Sequence, residues 1–173
     1  MCGIAGIFQL AGHSFSAISP SLEVMGQLIS HRGPDGKGVW KHPKNHVGFA
    51  HRRLSVVDLS EEASQPMTDR LGNWIAFNGE IYNFVELRKE LGEENFKSQS
   101  DTEVILFAYR KWGKECVNHL RGMFAFALWD EKERSLILAR DRAGEKPLYY
   151  GLHRGVLYFS SELKAIKSKI NNL

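Results

Sequence analysis

The chain has 173 residues, of which 43% are apolar and 25% are charged, values typical of a single soluble globular domain with a substantial core. Its net charge of +3, with both signs interspersed, argues against nucleic-acid binding, and no stretch approaches the roughly 18 apolar residues of a membrane span. Cys2 and Cys116 fit neither a disulfide framework nor a CxxC zinc motif, and no signal peptide is recognisable, so we expect a cytoplasmic protein without a metal or cofactor.

Strand-like segments occur along the whole chain. We predict strands at residues 3–10, 46–51, 53–58, 74–79, 123–130, 135–141 and 156–161. The run at 123–130 has almost no polar position, which indicates a strand buried on both faces and therefore stacked layers.

Helical patterns lie between these strands. We predict helices at residues 19–30, 83–92, 100–113, about 114–120, and 162–169, with loops at 31–45 and 58–73. Asn83 is a possible N-cap, and Ser100 with Glu103 has the spacing of a capping box. Strand pairs with helices inserted between them indicate an α+β fold in which helices cover the sheets.

Cys2 stands at the head of the first predicted strand. It is either a buried strand cysteine or, once Met1 is removed, a thiol that shares its residue with a free α-amine. An α-amine has a pKa of roughly 7.7–8.0, so it can serve as a catalytic base near neutral pH without tuning by burial. Seven histidines are alternative bases, but the sequence pairs none of them with Cys2.

Nine ordered segments span the chain: MCGIAGIF (1–8), HRGPDG (31–36), AHRRLSVVDLS (50–60), SQPM (64–67), FNGEIYNF (77–84), SDTEVIL (100–106), LRGMFAFALWD (120–130), ARDRAGEKPLYY (139–150) and SSELKAI (160–166). Together they resemble the glutaminase domain of glutamine-dependent asparagine synthetases. These are class II glutamine amidotransferases, a branch of the N-terminal-nucleophile hydrolases. The resemblance covers residues 1–173 and implies a four-layer αββα sandwich that hydrolyses glutamine to glutamate and ammonia.

The resemblance implies the catalytic residues. Cys2 is expected to attack the side-chain amide of glutamine and to carry a γ-glutamyl thioester. Asn78 and Gly79 match the family's oxyanion hole, a side-chain amide and a backbone N–H. The alternative for this Asn-Gly pair is a hairpin turn between two apolar runs.

The substrate-binding residues are implied in the same way. Arg53 is expected to bind the α-carboxylate, while strand alternation turns Arg52 to the opposite face. Asp101 matches the position that binds the α-ammonium group of glutamine. Glu80 lies beside the oxyanion pair, and the backbone of Val56 adds a contact.

Two further motifs are interpreted as structural. His31, in HRGPDG, belongs to a loop that shapes the pocket. The triplet Arg140, Asp141 and Arg142 is interpreted as an ion-pair cluster or a domain-contact surface.

Asparagine synthetases continue into an ATP-dependent synthetase domain with a Ser-Gly-Gly-Leu-Asp-Ser-type pyrophosphate loop, which these 173 residues lack. We therefore expect a glutaminase domain that delivers ammonia to a separate synthetase domain or subunit. Another class II branch is disfavoured, because glucosamine-phosphate synthase and phosphoribosyl-pyrophosphate amidotransferase carry a Gly-His-Thr-Arg-Trp-type block where this chain has AHRRLSVVD. The remaining alternative is a catalytically silent structural or interaction domain.

Overall fold

The structure is a computed structural model that describes residues 1–10, 17–56 and 58–170. Within these residues it contains nine strands, β1 Gly3–Gln9, β2 Gly36–Lys41, β3 Val47–Arg53, β4 Met67–Thr68, β5 Trp74–Ile81, β6 Gly122–Asp130, β7 Ser135–Arg140, β8 Tyr149–His153 and β9 Val156–Ser160. The α-helices are α1 Ile18–Leu28, α2 Phe84–Leu91, α3 Asp101–Trp112 and α4 Leu163–Lys167. Short 3-10 helices occupy Ser30–Arg32, Glu61–Ala63, Glu93–Asn95 and Gly113–Asn118.

The strands form two antiparallel sheets that pack face to face. The first sheet has the order β2-β3-β1-β9-β8 and the second has the order β4-β5-β6-β7. Helices α1 and α4 cover the outer face of the first sheet, and α2 and α3 cover the outer face of the second. The result is the predicted four-layer αββα sandwich.

Strand alternation decides which side chains fill the layer between the sheets. In β1, Ile4 faces the second sheet, whereas Ala5 and Ile7 face the helices. In β5, Ala76 faces the first sheet and Phe77 faces α3. Polar side chains at the ends of these strands are thereby directed into one interlayer space.

The predicted strand at 53–58 is wrong. Strand β3 ends at Arg53, whose side chain donates hydrogen bonds to the backbone carbonyls of Asp58 and Ser60. Asp35 Oδ2 accepts a hydrogen bond from the Ser55 N–H at 2.9 Å. These side chains satisfy backbone groups that a sheet would otherwise pair, so the segment curls instead of extending. Val57 lies outside the described residues.

Three strands lie where none was predicted. Strands β2 and β4 fall inside predicted loops, and β8 precedes the last predicted strand. Strands β2 and β8 are the two edges of the first sheet, so their sequences do not need a continuous apolar face.

The predicted helix starts are only partly right. Ser100 caps α3, because its Oγ accepts the Thr102 N–H at 3.1 Å. Glu103 instead accepts hydrogen bonds from the N–H groups of Lys97 and Ser98, so the reciprocal capping box is absent. The Asn83 side chain makes no cap for α2. None of the described helices has the length and hydrophobicity that a membrane crossing requires.

Candidate active site

A pocket opens at one end of the interlayer space. Its walls are the start of β1, the segment that follows β3, the edge of β5 and the first turn of α3. The lining residues are Cys2, Arg53, Leu54, Ser55, Val56, Asp58, Ala63, Gln65, Phe77, Gly79, Glu80, Ser100, Asp101 and Thr102. Six of the seven predicted site residues are therefore brought together, and the seventh, Asn78, is buried next to Gly79 in β5.

The Cys2 thiol lies against the backbone of Leu54. Its Sγ is 3.4 Å from the Leu54 nitrogen and 3.5 Å from the Leu54 oxygen. Burial raises the pKa of the thiol, the Leu54 hydrogen bond opposes this, and the charges of Glu80 and Asp101 add to it. A thiol in this environment is protonated at neutral pH, so nucleophilic attack requires a base.

No histidine that the structure describes forms a hydrogen bond with Cys2. His31 Nε2 instead lies 2.7 Å from Glu162 Oε1, and the neighbouring Arg32 Nε donates to the Cys2 carbonyl at 2.9 Å. The HRGPDG segment thus holds the backbone of Cys2 and leaves the thiol free of a side-chain base.

Arg53 brings a positive charge to the pocket. Although burial opposes it, hydrogen bonds from Ser60 and Gln99 and the charge of Arg53 lower the pKa of the nearby Asp58. Arg53 Nη1 donates to the Ser60 carbonyl at 2.9 Å and Arg53 Nη2 to the Asp58 carbonyl, both neutral acceptors. Among the described residues, no carboxylate lies within 4.0 Å of the guanidinium. Arg52 points to the other face, where its Nε donates to the Gly26 carbonyl in α1 at 2.9 Å. The guanidinium of Arg53 is therefore held in place and still able to bind an anion.

Two carboxylates face this cation across the pocket. Asp101 is buried, and its Oδ2 accepts the Ile81 N–H at 2.9 Å. Burial raises the pKa of Asp101 to about 6, against the Ile81 hydrogen bond, and the charge of Glu80 adds to the rise. Burial also raises the pKa of Glu80, with the charge of Lys146 acting in the opposite direction. The pocket therefore has a positive side and a negative side.

Asn78 carries an unsatisfied polar group. The residue is 1% exposed, and its Nδ2 has no hydrogen-bond partner within the described parts of the chain. It lies in the interior of β5 opposite Ala125 of β6, so the hairpin alternative for Asn-Gly is wrong. A buried N–H group without an acceptor is costly and marks a position where a ligand can accept.

The backbone N–H of Gly79 also lacks a partner in the strand ladder. Both backbone groups of Phe124, its partner in β6, bond to Asp141 on the other side, so Gly79 and Phe124 form a non-hydrogen-bonded pair. The backbone of Gly79 consequently points to the open edge of β5. On this edge Gln65 Oε1 accepts a hydrogen bond from the Phe77 N–H at 2.6 Å, and Asp101 Oδ2 accepts one from the Ile81 N–H.

Close packing explains why residue 79 is a glycine. A Cβ there would collide with the Met123 carbonyl oxygen and lie 2.8 Å from the Phe124 Cα. The absence of a side chain also leaves the N–H accessible to a ligand in the pocket.

Gln65 is a site residue to which the sequence analysis gave no role. Its Oε1 binds β5, and its Nε2 donates to the Thr102 hydroxyl at 3.1 Å, which ties the pocket wall to the first turn of α3. The SQPM segment was part of the resemblance, but its contacts depend on two elements that are distant in sequence.

The interpretation of residues 140–142 as an ion-pair cluster is wrong. Asp141 accepts backbone N–H groups of Phe124, Glu145 and Lys146, at distances of 2.9–3.2 Å. Arg140 donates to a backbone carbonyl and Arg142 to a side-chain amide. The motif is a tight turn built on one buried carboxylate, not a set of ion pairs.

A family model described as a glutamine amidotransferase domain matches residues 1–172. The chain belongs to the glutamine amidotransferase family. This amidotransferase domain is 43% identical over 177 residues to asparagine synthetase [glutamine-hydrolyzing] 1 of Bacillus subtilis strain 168, covering 100% of the chain and 28% of the relative. It is 39% identical to asparagine synthetase B [glutamine-hydrolyzing] of Escherichia coli K12, covering 96% and 30%.

Another relative, amidase chry2 of Gibberella zeae, is 41% identical, and the match covers 95% of the amidotransferase domain and 26% of the relative. The chain thus spans about a quarter to a third of these relatives' lengths.

Two solved structures share the fold of the amidotransferase domain. One is the glutamine phosphoribosylpyrophosphate amidotransferase from B. subtilis complexed with ADP and GMP, with a TM-score of 0.75, 22% identity, and coverage of 96% of this chain and 43% of that one. The other is described as the allosteric regulatory enzyme of purine biosynthesis, with a TM-score of 0.77, 20% identity and the same coverage. These likenesses confirm the predicted α+β sandwich.

Proposed function

We propose that this domain hydrolyses glutamine to glutamate and ammonia through a γ-glutamyl thioester on Cys2. The observation that carries the proposal is that one pocket is lined by the Cys2 thiol, the Arg53 guanidinium, the buried Asp101 carboxylate and the Gly79 backbone, with the unpartnered Nδ2 of Asn78 in the next residue of β5. Family membership supports glutamine as the substrate.

The charges of the pocket match the two charged ends of a free amino acid. Arg53 would bind the α-carboxylate, since a planar guanidinium donates two parallel hydrogen bonds. Asp101 and Glu80 would bind the α-ammonium group, and bound cation would favour their ionised forms. Val56 would add a backbone contact from the loop that follows β3. The side-chain amide of glutamine would then extend toward Cys2.

The chemistry begins when the Cys2 sulfur attacks the amide carbon and the carbonyl oxygen becomes an oxyanion. The Asn78 Nδ2–H and the Gly79 N–H would donate to that oxygen, and one such donor contributes on the order of 2.7–4 kcal/mol to transition-state stabilisation. The thiol proton passes to a base and from there to the leaving nitrogen, which departs as ammonia. Water then hydrolyses the thioester and releases glutamate.

The α-amine of Cys2 is the base that we propose. It requires removal of Met1, because a peptide nitrogen cannot accept the proton. The contacts of Cys2 with Leu54 and Arg32 are compatible with this role, since neither supplies a proton acceptor of suitable pKa.

The test combines N-terminal mass analysis with a glutaminase assay on the same sample. Protein that starts at Cys2 should release ammonia, and an electrophilic glutamine analogue should label Cys2. Cys2→Ala should abolish release while the fold is retained, and Cys116→Ala should release ammonia normally, because Cys116 is buried in the core beside α3. Undiminished release by Cys2→Ala would contradict the mechanism, and no release by Met1-free wild type would favour the silent-domain alternative.

The ammonia acceptor is a second part of the proposal. The names of the relatives suggest amide formation by an ATP-dependent synthetase domain or subunit in the cytoplasm, and asparagine is the proposed product. With ATP, aspartate and that partner present, glutamine should support asparagine formation. Asparagine formation by the 173 residues alone would contradict this division of labour.

A further inference from the structure

Lys146 is a buried cation held beside the N-terminal residue of the chain. Its side chain belongs to a residue that is 6% exposed, and the turn built on Asp141 fixes its backbone through a 3.0 Å hydrogen bond. The Nζ lies 3.4 Å from Met1 Sδ. No sequence pattern links this residue to the site, because it lies 144 positions beyond Cys2 in a motif interpreted as structural.

The ammonium group of Lys146 lacks a suitable partner in this state. A thioether is a weak acceptor, and an ammonium group has three protons to donate. Within residues 1–10, 17–56 and 58–170, no carboxylate lies within 4.0 Å of the Nζ. Removal of Met1 also removes the thioether contact, which leaves an ammonium group with unsatisfied protons beside the nucleophile end of β1.

Glu80 is the acid that the structure offers. It lines the pocket with Cys2 and lies opposite Met123 of β6, next to Phe124, whose N–H shares the Asp141 carboxylate with the N–H of Lys146. Burial raises the pKa of the Glu80 carboxyl, and the positive charge of Lys146 acts in the opposite direction. Two other acidic groups, Cys2 and Asp101, respond to the charge of Glu80. Arg53 faces the same pocket from the end of β3 but is bound to loop carbonyls.

We propose that Lys146 is a positioning residue of the glutaminase site, which pairs with Glu80 after Met1 is removed and orients that carboxylate toward the α-ammonium group of glutamine. The inference rests on the proposed function. It places a positive charge behind one carboxylate of the negative side and gives the ARDRAGEKPLYY motif a role, since the Asp141 turn directs one lysine to the nucleophile end of β1.

The test uses residues 2–173, the chain after removal of Met1, and compares wild type, Lys146→Met and Lys146→Arg. Methionine keeps the length of the side chain and removes the charge. We expect Lys146→Met to raise the KM for glutamine about tenfold with kcat within about threefold, and Lys146→Arg to restore most of the loss. Lys167→Met, an exposed lysine of α4, is the matched control and should behave as wild type.

The pH profile separates pairing from packing. Without the lysine, Glu80 binds its proton at higher pH, so the KM of Lys146→Met should rise more steeply as the pH falls below 7. A purely structural role for Lys146 predicts parallel profiles. A KM and pH profile of Lys146→Met equal to those of active wild type would overturn the inference and leave the proposed function intact.

Two measurements do not depend on catalysis. A carboxyl NMR titration should show Glu80 binding its proton at higher pH in Lys146→Met than in wild type, and an unmoved titration would overturn the pairing. If Lys146→Met does not fold, a crystal structure of Met1-free wild type decides the question: a Nζ to Glu80 carboxylate distance of 4.0 Å or less is expected, and a longer distance would overturn the pairing. Wild type that folds, titrates in this way and releases no ammonia would contradict the proposed function alone.

Discussion

The two ends of the layer between the sheets differ sharply in chemistry. At one end the inward side chains are aromatic: Trp40 stacks on Trp74 at 4.9 Å between ring centroids, and Trp129 packs against Phe8 and His46. At the other end lie Cys2, immediately before β1, and the buried Asn78 of β5. One continuous layer therefore contains both a dry core and a polar pocket.

The contrast shows how a stable sandwich can hold a polar site. Strands β3 and β5 each change from large apolar to polar inward residues along their length, Phe49 to Arg53 in one and Trp74 to Glu80 in the other. The two strands lie in different sheets, and the packing of the sheets, in which His51 of β3 contacts the Phe77 carbonyl of β5, places both changes at one end, where Arg53 and Glu80 line the same pocket. The apolar end stabilises the layer, which allows the unsatisfied Nδ2 of Asn78 to persist.

The largest effect is expected from a substitution that disrupts the apolar end of the layer. Trp129 is 1% exposed, and its Nε1 donates to Glu131 at 2.7 Å. Trp129→Ala should lower the free energy of unfolding by about 3–5 kcal/mol, through lost burial and the cavity left behind. Denaturant unfolding measures the loss. The KM of the molecules that remain folded should be unchanged, and a loss below about 1 kcal/mol would contradict the assigned role of this end.

The next largest effect is expected at the polar end, where the substitution should lower activity and leave stability intact. Asn78→Ala should lower kcat about 10²–10³-fold, because it removes a proposed oxyanion donor. The free energy of unfolding should stay the same or rise, because a buried donor without a partner disappears. Steady-state kinetics and denaturant unfolding on one sample check both expectations. Asn118→Ala, at an exposed asparagine, is the control, and a kcat of Asn78→Ala near wild type would remove Asn78 from the reaction.

The fold was predictable wherever burial forces an apolar pattern. The run at 123–130 became β6, which is covered on both faces, and the helix patterns at 83–92 and 100–113 became α2 and α3. Edge strand β2 was missed because lysine and glycine are tolerated where one edge faces solvent. The strand assigned to 53–58 failed because side chains of distant residues capture its backbone.

The site was predictable to the extent that residue chemistry identifies it. The resemblance named Cys2, Arg53 and Asp101, and the structure brings them to one pocket, while their roles stay predictions. The direction of the Gly79 N–H and the reach of Lys146 were not predictable. The first follows from strand register, and the second from a turn closed by the Asp141 carboxylate, which places Lys146 beside Met1 although the two are 145 positions apart.

A smaller effect is expected when two neighbouring arginines, which lie on opposite faces of β3, are substituted one at a time. Arg53→Ala should raise the KM for glutamine about 10–100-fold, since hydrogen bonds between charged groups are worth roughly 1.5–3 kcal/mol. Arg52→Ala should leave the KM unchanged and cost only its contacts with α1. Steady-state assays of the two variants in parallel decide the matter. Equal KM values for the two variants would mean that the pocket does not select the α-carboxylate through Arg53.

The smallest effect concerns the boundary between the two ends, where His51 is fully buried and its Nε2 lies 3.1 Å from the Phe77 carbonyl. Burial lowers the pKa of His51 from 6.5 to about 4, against the hydrogen bond to Phe77. Between these two values the unfolded chain binds more protons than the folded one, so the stability contributed by neutral His51 falls as the pH drops.

From pH 7 to pH 6 the loss due to His51 should be about 0.7 kcal/mol. Asp101 acts in the opposite direction. Burial raises its pKa to about 6, so near this pH the folded chain binds more protons at Asp101 than the unfolded chain, and the contribution of Asp101 to stability rises as the pH falls. His51→Gln, which keeps a neutral donor for Phe77, should therefore lose less stability than wild type over this interval. Denaturant unfolding at both pH values measures the difference. Identical pH dependence in the two proteins would mean that His51 is reached by solvent, and that the dry region ends before it.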